Sequence, residues 1–310
     1  MPVQLVTAGH ILSEMLVFAD GRGAGPVLGG PAAYASAVAG RLGVRTGIVT
    51  KVGSDAPPDL LQPLRDAGVD LTGVDFQSPV TTTNQLVYAP DGTKELRYIR
   101  QAAEITFGDI VNKYPDCSAF HICPLDYEIS IDTVSQLRAL GKLMSVDLGG
   151  YGGAHICRAT AAQKKFSPAD MDKIISLFDI VKASDEDAKL IFGREGFSDE
   201  AIAHHFLQAG AKVAIITLGA KGSLVFSSSL KCVIPALAGN VVDVTGGGDS
   251  FIAGFLVEWL RTSDLVKSGL FAAATAVCVI EKTGGVRAER MPDESQVRAR
   301  IPAQFEPQVL

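Results

Sequence analysis

Short apolar, β-branched runs recur along this chain with helix-like segments between most of them, and this alternation limits the fold more than any other feature. Val3–Ala8, Gly47–Val52, Ala119–Cys123, Leu143–Asp147, Ile180–Ala183, Val213–Leu218 and Ser223–Phe226 read as strands. Strands that run parallel cannot be joined by tight turns, so they need crossover segments, and the helical patterns supply them. An α/β chain is expected, with a mainly parallel central sheet and helices on both faces. Sheets of this kind bind ligands beyond the carboxyl ends of their strands.

The 310 residues suit one large domain, or one domain with a small attachment. At 47% hydrophobic and 20% charged, the chain can build a sizeable core. One stretch breaks the rhythm. Val80–Ile99 reads as two strands around a turn containing Asp91-Gly92. A hairpin here is expected to project over one end of the sheet as a lid; an ordinary edge hairpin is the other reading. The expectation is a single domain, 1–310, whose β lid comes from about 10–28 and 76–104.

Charge and cysteine usage exclude several functions. A formal net charge of −6 disfavours nucleic acid, which needs a broad basic face. One small phosphorylated ligand stays compatible, because a few backbone N–H groups can hold it. The five cysteines are odd in number and form no Cys-x-x-Cys pair, which argues against a disulfide framework or structural zinc and for a reducing cytoplasm. Met1-Pro2-Val3-Gln4-Leu5 does not read as a signal peptide. The apolar stretch around Gly269–Ile280 falls short of the roughly 20 residues a membrane span requires. His204 and His205 are adjacent, and His121 and Cys123 alternate on a strand; neither pair has a third ligand at metal-binding spacing.

The chemistry points to Asp243-Val244-Thr245-Gly246-Gly247-Gly248-Asp249. Three glycines without Cβ atoms can turn N–H groups inward and make an anion nest. Ile252, Phe255, Leu256, Trp259 and Leu260 follow at helical spacing, so the nest sits at a helix N-terminus. Asp249 stands at that junction. Its plain reading is a cap after a turn; its functional reading is a base beside an anion hole. Neither a P-loop nor a dinucleotide-binding glycine pattern is present.

The run resembles the signature of the ribokinase-like (PfkB) carbohydrate kinases, Asp-Thr-x-Gly-Ala-Gly-Asp. Val244 stands in place of the Thr and Gly247 in place of the Ala, and neither change removes a backbone N–H. The resemblance implies a three-layer α/β/α kinase fold. It implies that Gly246, Gly247 and Gly248 stabilise the transferring phosphoryl group while Asp249 takes the proton of an acceptor hydroxyl. Asp243 and Thr245 match positions that in several family members help bind a monovalent cation, often potassium.

The resemblance extends over most of the chain. Gly29-Gly30-Pro31, with Tyr34 following, is similar to the family's N-terminal glycine pair, where a hydroxylated substrate approaches the backbone. Glu14 stands where relatives carry a substrate-binding Asp, with Asp20 or a plain surface role as the alternatives. Lys182-Ala183-Ser184-Asp185-Glu186-Asp187 matches Lys-x-Asn-x-x-Glu near the phosphates and magnesium, with Ser184 and Asp187 as departures. Glu186 or Asp187 could hold a metal-bound water, or the acids could simply favour a helix start. Thr217, Gly219 and Gly222 match the nucleotide-contacting Thr-x-Gly-x-x-Gly. Lys282-Thr283-Gly284-Gly285 falls in the region that walls the adenine, or is a helix end.

These features imply an ATP-dependent kinase, using Mg2+ and with K+ as an open addition, acting on a hydroxyl of a sugar, inositol or nucleoside. Tyr34, where ribokinases proper carry Asn, is expected to stack on a less polar face of the acceptor. A non-catalytic sugar- or nucleoside-binding sensor on the same fold is the alternative; a nicotinamide-dependent oxidoreductase lacks its glycine fingerprint. A homodimer through the lid is compatible with the resemblance.

Overall fold

The computed structural model describes residues 2–303 and 308–309, apart from 18, 19, 22, 89–93, 155, 158–165 and 194–196. In chain order the strands are β1 (Leu5–Ala8), β2 (Leu12–Val17), β3 (Gly23–Gly29), β4 (Thr46–Gly53), β5 (Asp70–Ser78), β6 (Thr83–Tyr88), β7 (Lys94–Arg100), β8 (Ala119–Ile122), β9 (Leu143–Asp147), β10 (Ile180–Ser184), β11 (Val213–Thr217), β12 (Ser223–Ser227), β13 (Lys231–Ile234) and β14 (Gln308–Val309).

The large sheet has the order β14-β13-β12-β11-β10-β9-β8-β1-β4-β5. From β5 across to β11 every neighbour pair is parallel. The parallel run ends at β11, because the short turn after Thr217 returns the chain antiparallel as β12, and β13 and β14 continue that way. Alternate side chains feed two cores. Val213 and Ile215 face the helices Pro31–Arg41, Gly247–Thr262 and Leu265–Ile280, whereas Ala214 and Ile216 face Ile131–Arg138, Pro168–Ser176 and Asp199–Gln208. The result is the three-layer α/β/α arrangement expected from the alternation.

Local chemistry fixes the helix starts. Ser130, Ser167 and Ser198 each accept a hydrogen bond from the backbone N–H three residues on, and Ser167 and Asp170 close a reciprocal capping box. No helix among the described residues is long and apolar enough to cross a membrane.

A second, four-stranded sheet has the order β3-β2-β6-β7. The expected strand pair of 80–99 appears as antiparallel β6 and β7, while the turn with Asp91-Gly92 lies outside the described residues. The pair is not alone: β2 pairs with β6 in parallel and with β3 antiparallel. The chain enters this sheet directly from the carboxyl end of β1, which places the small sheet beside the ligand-binding edge of the large one.

Candidate active site

A cavity of about 990 Å³ opens where the two sheets meet. Its floor carries Asp147, Lys182, Ser184 and Thr217, at the carboxyl ends of β9, β10 and β11, together with the start of the helix Gly247–Thr262. Leu12, Glu14, Asn84, Leu86 and Leu96 of the small sheet form the opposite wall. Glu14, Gly29, Gly30, Tyr34, Lys182, Ser184, Asp187, Thr217, Gly219, Gly222 and Thr245–Asp249 all border this cavity, whereas Asp243, Asp20, the histidines and Lys282–Gly285 do not.

The run makes a tight turn into its helix. Gly246 caps the helix at φ 76°, and an added Cβ would come within 2.3 Å of the Tyr34 ring, so both backbone and packing require glycine there. The turn is closed by Gly247 N–H donating to the Val244 carbonyl at 3.1 Å. That bond corrects the expectation of three equivalent donors: the Gly247 amide is spent on the turn. The Gly246 and Gly248 amides make no such backbone bond among the described residues. The Asp249 amide is likewise uncommitted and joins them as a donor at the helix start.

Asp249 sits in this first helical turn, with its pKa pushed up to about 7. Burial is the main cause, and the Asp147 carboxylate adds to it against the opposing pull of Lys182. Lys182 Nζ donates to Asp147 Oδ2 at 2.6 Å, and both side chains are buried. Burial works against the ammonium, but Asp147 and then Asp249 outweigh it and hold the Lys182 pKa above its usual range. Lys182 Nζ also lies 2.9 Å from where a Cβ on Gly248 would stand, so a fixed positive charge adjoins the glycine turn. A carboxylate near neutrality, uncommitted amides and a buried cation can together accept a proton and stabilise a transferring anionic group.

On the small-sheet side, Gly30 caps the helix Pro31–Arg41 at φ 93°, with Pro31 in the first turn. A Cβ at Gly30 would stand 2.9 Å from the His10 carbonyl oxygen, so the glycine lets the helix start pack against the strand crossing. Glu14 Oε2 accepts from Asn84 Nδ2 at 3.0 Å, and the buried Asn84 Oδ1 has no partner among the described residues. Tyr34 borders the cavity and is also held by packing. Its ring is 2% exposed and lies against Gly246, and its hydroxyl accepts from Arg290 Nη1 at 2.6 Å.

On the far side, Ser184 caps the helix Asp185–Phe192: its Oγ accepts from the Asp187 backbone and donates to Asp187 Oδ2 at 2.6 Å. Asp187 Oδ1 accepts from Ala154 N–H. The capping reading therefore holds for this pair, while the carboxylate still borders the cavity. Thr217, Gly219 and Gly222 line the same end, faced by an apolar wall of Leu237, Val241, Ala276, Val277 and Ile280. Lys282–Gly285 follows directly on the helix Leu265–Ile280 and its cap Glu281: the Lys282 amide bonds back to the Val279 carbonyl, and the Gly285 carbonyl accepts from Arg290. The histidines assemble no site: His121 is buried, with desolvation pushing its pKa down to about 3, and no group of three metal-ligating side chains occurs among the described residues.

Comparison with known proteins accords with this geometry. The family model for pfkB family carbohydrate kinases matches residues 25–291. The chain belongs to the PfkB family. It is thus a phosphotransferase of the class that uses hydroxyl acceptors, with a nucleotide-binding kinase fold. It is similar to a cytidine kinase of Thermococcus kodakarensis, 32% identical over 290 residues, covering 91% of this chain and 98% of that protein. A nucleoside kinase of Methanothermobacter thermautotrophicus is 26% identical over 281 residues, covering 89% and 85%. Among solved structures, Arabidopsis thaliana ribokinase complexed with ribose and ATP matches with a TM-score of 0.80 at 22% identity, covering 99% and 100%, which speaks for the fold alone.

Three residues of this PfkB kinase escaped the sequence reading. Asn84 was one polar residue in a strand, Asp147 one acid at a strand end, and Arg290 one cation in a polar tail. No local pattern distinguishes them; each acquires meaning only through a partner far along the chain.

Proposed function

We propose that this kinase transfers the γ-phosphoryl group of ATP to a hydroxyl of a nucleoside. The acceptor wall carries the choice. Glu14 and Asn84 offer polar partners for sugar hydroxyls, while Leu12, Leu86 and Leu96 offer apolar surface beside them. A nucleoside presents that combination, with a hydroxylated ribose and a flat base of low polarity on its faces. A simple hexose or an inositol is polar around its rim and would leave the leucines without a partner. Asn84 holds the Glu14 carboxylate in that wall through its Nδ2.

ATP suits the other end. Leu237, Val277 and Ile280 form an apolar wall of the kind that holds a nucleobase, and the Thr217–Gly222 turn runs beside it. A donor consisting of phosphates alone would make no use of this wall. Magnesium would suit this end, where Asp187 and Glu186 offer hard carboxylate oxygens that would hold the ion through water. When bound it would offset charge on the nucleotide phosphates.

The reaction is an in-line displacement. Asp249 takes the proton of the acceptor hydroxyl, that oxygen bonds to the γ-phosphorus, and the bond to the β-phosphate oxygen breaks, releasing ADP. The transition state is loose, so positioning and charge stabilisation dominate and the base acts late. The amides of Gly246, Gly248 and Asp249 would receive the equatorial oxygens, with Lys182 adding fixed positive charge. The small sheet acts as the lid that excludes water from this transfer. An unperturbed carboxylate would suffice for a passive sensor, and the raised pKa of Asp249 favours the base.

The test is ATP consumption across cytidine, uridine, adenosine, ribose, fructose and myo-inositol. A nucleoside should give the highest kcat/KM. A base-free sugar or an inositol outperforming every nucleoside would remove the acceptor assignment.

A further inference from the structure

Among the described residues Arg290 is the largest fully buried side chain, 1% exposed, and it lies against the glycine turn. Its Nε donates to the Val279 carbonyl at 3.1 Å. Nη1 donates to the Gly285 carbonyl at 3.2 Å and to the Tyr34 hydroxyl at 2.6 Å. Nη2 donates to the carbonyls of Asp243, at 3.1 Å, and Thr245, at 2.7 Å. A guanidinium has five N–H donors, and these five bonds use all of them. The Asp243 carboxylate stands 3.8 Å from Nη2 and balances the charge.

Four carbonyl dipoles converging beside a carboxylate make a cage for a cation. Asp243 and Thr245 are the two positions where the sequence pattern raises a monovalent metal ion. In this chain their carbonyls are already taken, by a cation covalently part of the protein. A second positive charge in the same cage would face the guanidinium across a few ångströms of dry interior, where repulsion is poorly screened. The residues present therefore do not fit a monovalent metal ion.

We propose that the Arg290 guanidinium stands in for that ion: it is a built-in cation that sets the shape of the 243–249 turn and makes this kinase independent of potassium. Arg290 is a positioning residue, since it acts through the turn and not on the substrates. Its reach is wider than an ion's. Through Tyr34, whose ring fills the space over Gly246, it also ties the helix Pro31–Arg41 to the turn. The inference rests on the reading of 243–249 as the phosphoryl-transfer turn.

The test compares protein exchanged into a tetramethylammonium salt with protein given potassium or sodium at constant ionic strength, by thermal melting without substrates and by steady-state turnover. An ion bound at roughly 100 times its Kd would raise the melting temperature of a chain this size by about 4 °C. The natural protein should shift by less than about 1 °C and change its rate by less than about twofold, well below that binding effect. Arg290→Ser should melt lower and turn over more slowly in tetramethylammonium. Potassium or dilute guanidinium should then restore both, which a purely structural loss would not allow. A potassium-specific rise of about 4 °C in the natural protein would overturn the proposal, because it reports a bound ion. So would a folded Arg290→Ser protein that neither ion restores. If that variant does not fold, the melting of the natural protein decides alone. The melting arm needs no acceptor, so a failure to find turnover with any substrate counts against the kinase reading and not against this one.

Discussion

Replacing Asp249 by Asn should make the protein more stable at alkaline pH while disabling it. The native pKa of this carboxyl stands at about 7 against an ordinary 3.8. A raised native pKa means the folded state holds the proton more tightly than the unfolded state does. The associated stability is fully present below 3.8, is lost as pH rises toward 7, and stays lost above it. At about 1.4 kcal/mol per pH unit, the gap is worth at most about 4 kcal/mol. Asp249 borders an open cavity, where water relaxes part of the penalty, so about 2 kcal/mol is the expected difference. With about 2.1 cal/mol/K of unfolding entropy per residue, that is about 3 °C in melting temperature. The assay is paired melting of both proteins from pH 4.5 to 8.5, without ligands. Asp249→Asn should melt higher at pH 8.5, and its advantage should shrink toward pH 4.5. Turnover should fall at least ~100-fold, the low end for losing a general base. Equal melting at pH 8.5, or an advantage that does not depend on pH, would refute the argument that burial raises this pKa. Near-normal turnover would refute the base.

Four further outcomes follow from the geometry. The kcat/KM of the natural enzyme should fall about tenfold per pH unit below about 7, because the ionised base is then scarce; a flat profile down to pH 5.5 would count against Asp249. Among the glycines, Gly247→Ala should be mild, since an added Cβ meets only the tip of Ile280 at 3.0 Å, whereas Gly246→Ala should be severe, being both left-handed and 2.3 Å from the Tyr34 ring; parallel kinetics and melting would expose a reversed order. Lys182→Met leaves the buried Asp147 carboxylate without its cation and should cost about 3–5 kcal/mol of stability, with Asp147→Asn in the same chain recovering part of it; urea titration measures both. Asn84→Leu should raise the acceptor KM with a smaller effect on the KM for ATP, as Asn84 lies in the acceptor wall and holds the Glu14 carboxylate.

Much of the architecture was legible along the chain. Strand and helix periodicity and the glycine run are local properties, set by sterics and hydrogen bonding within a few residues. They gave the parallel core, the strand pair of 83–100 and the helix behind Asp249. β2 and β3 are not among the strands read from the sequence; the glycine-rich Gly23–Gly29 forms a strand through its pairing with β2. The aromatic ring of Tyr34 suggested a surface for an acceptor; that Gly246 and Arg290 also hold it is visible only in the tertiary structure.

The sequence by itself determined most of the core elements, their order, and that an acid and a run of three glycines share one helix start. Only the tertiary structure decided what surrounds them. Asn84 reaches Glu14 across 70 positions, Lys182 reaches Asp147 across 35, and Arg290 reaches Tyr34 across 256. The pKa of Asp249 and the content of the cage behind its turn depend on burial and on charges brought in from distant segments. Desolvation and Coulomb interaction act through space, and a linear pattern does not record that distance.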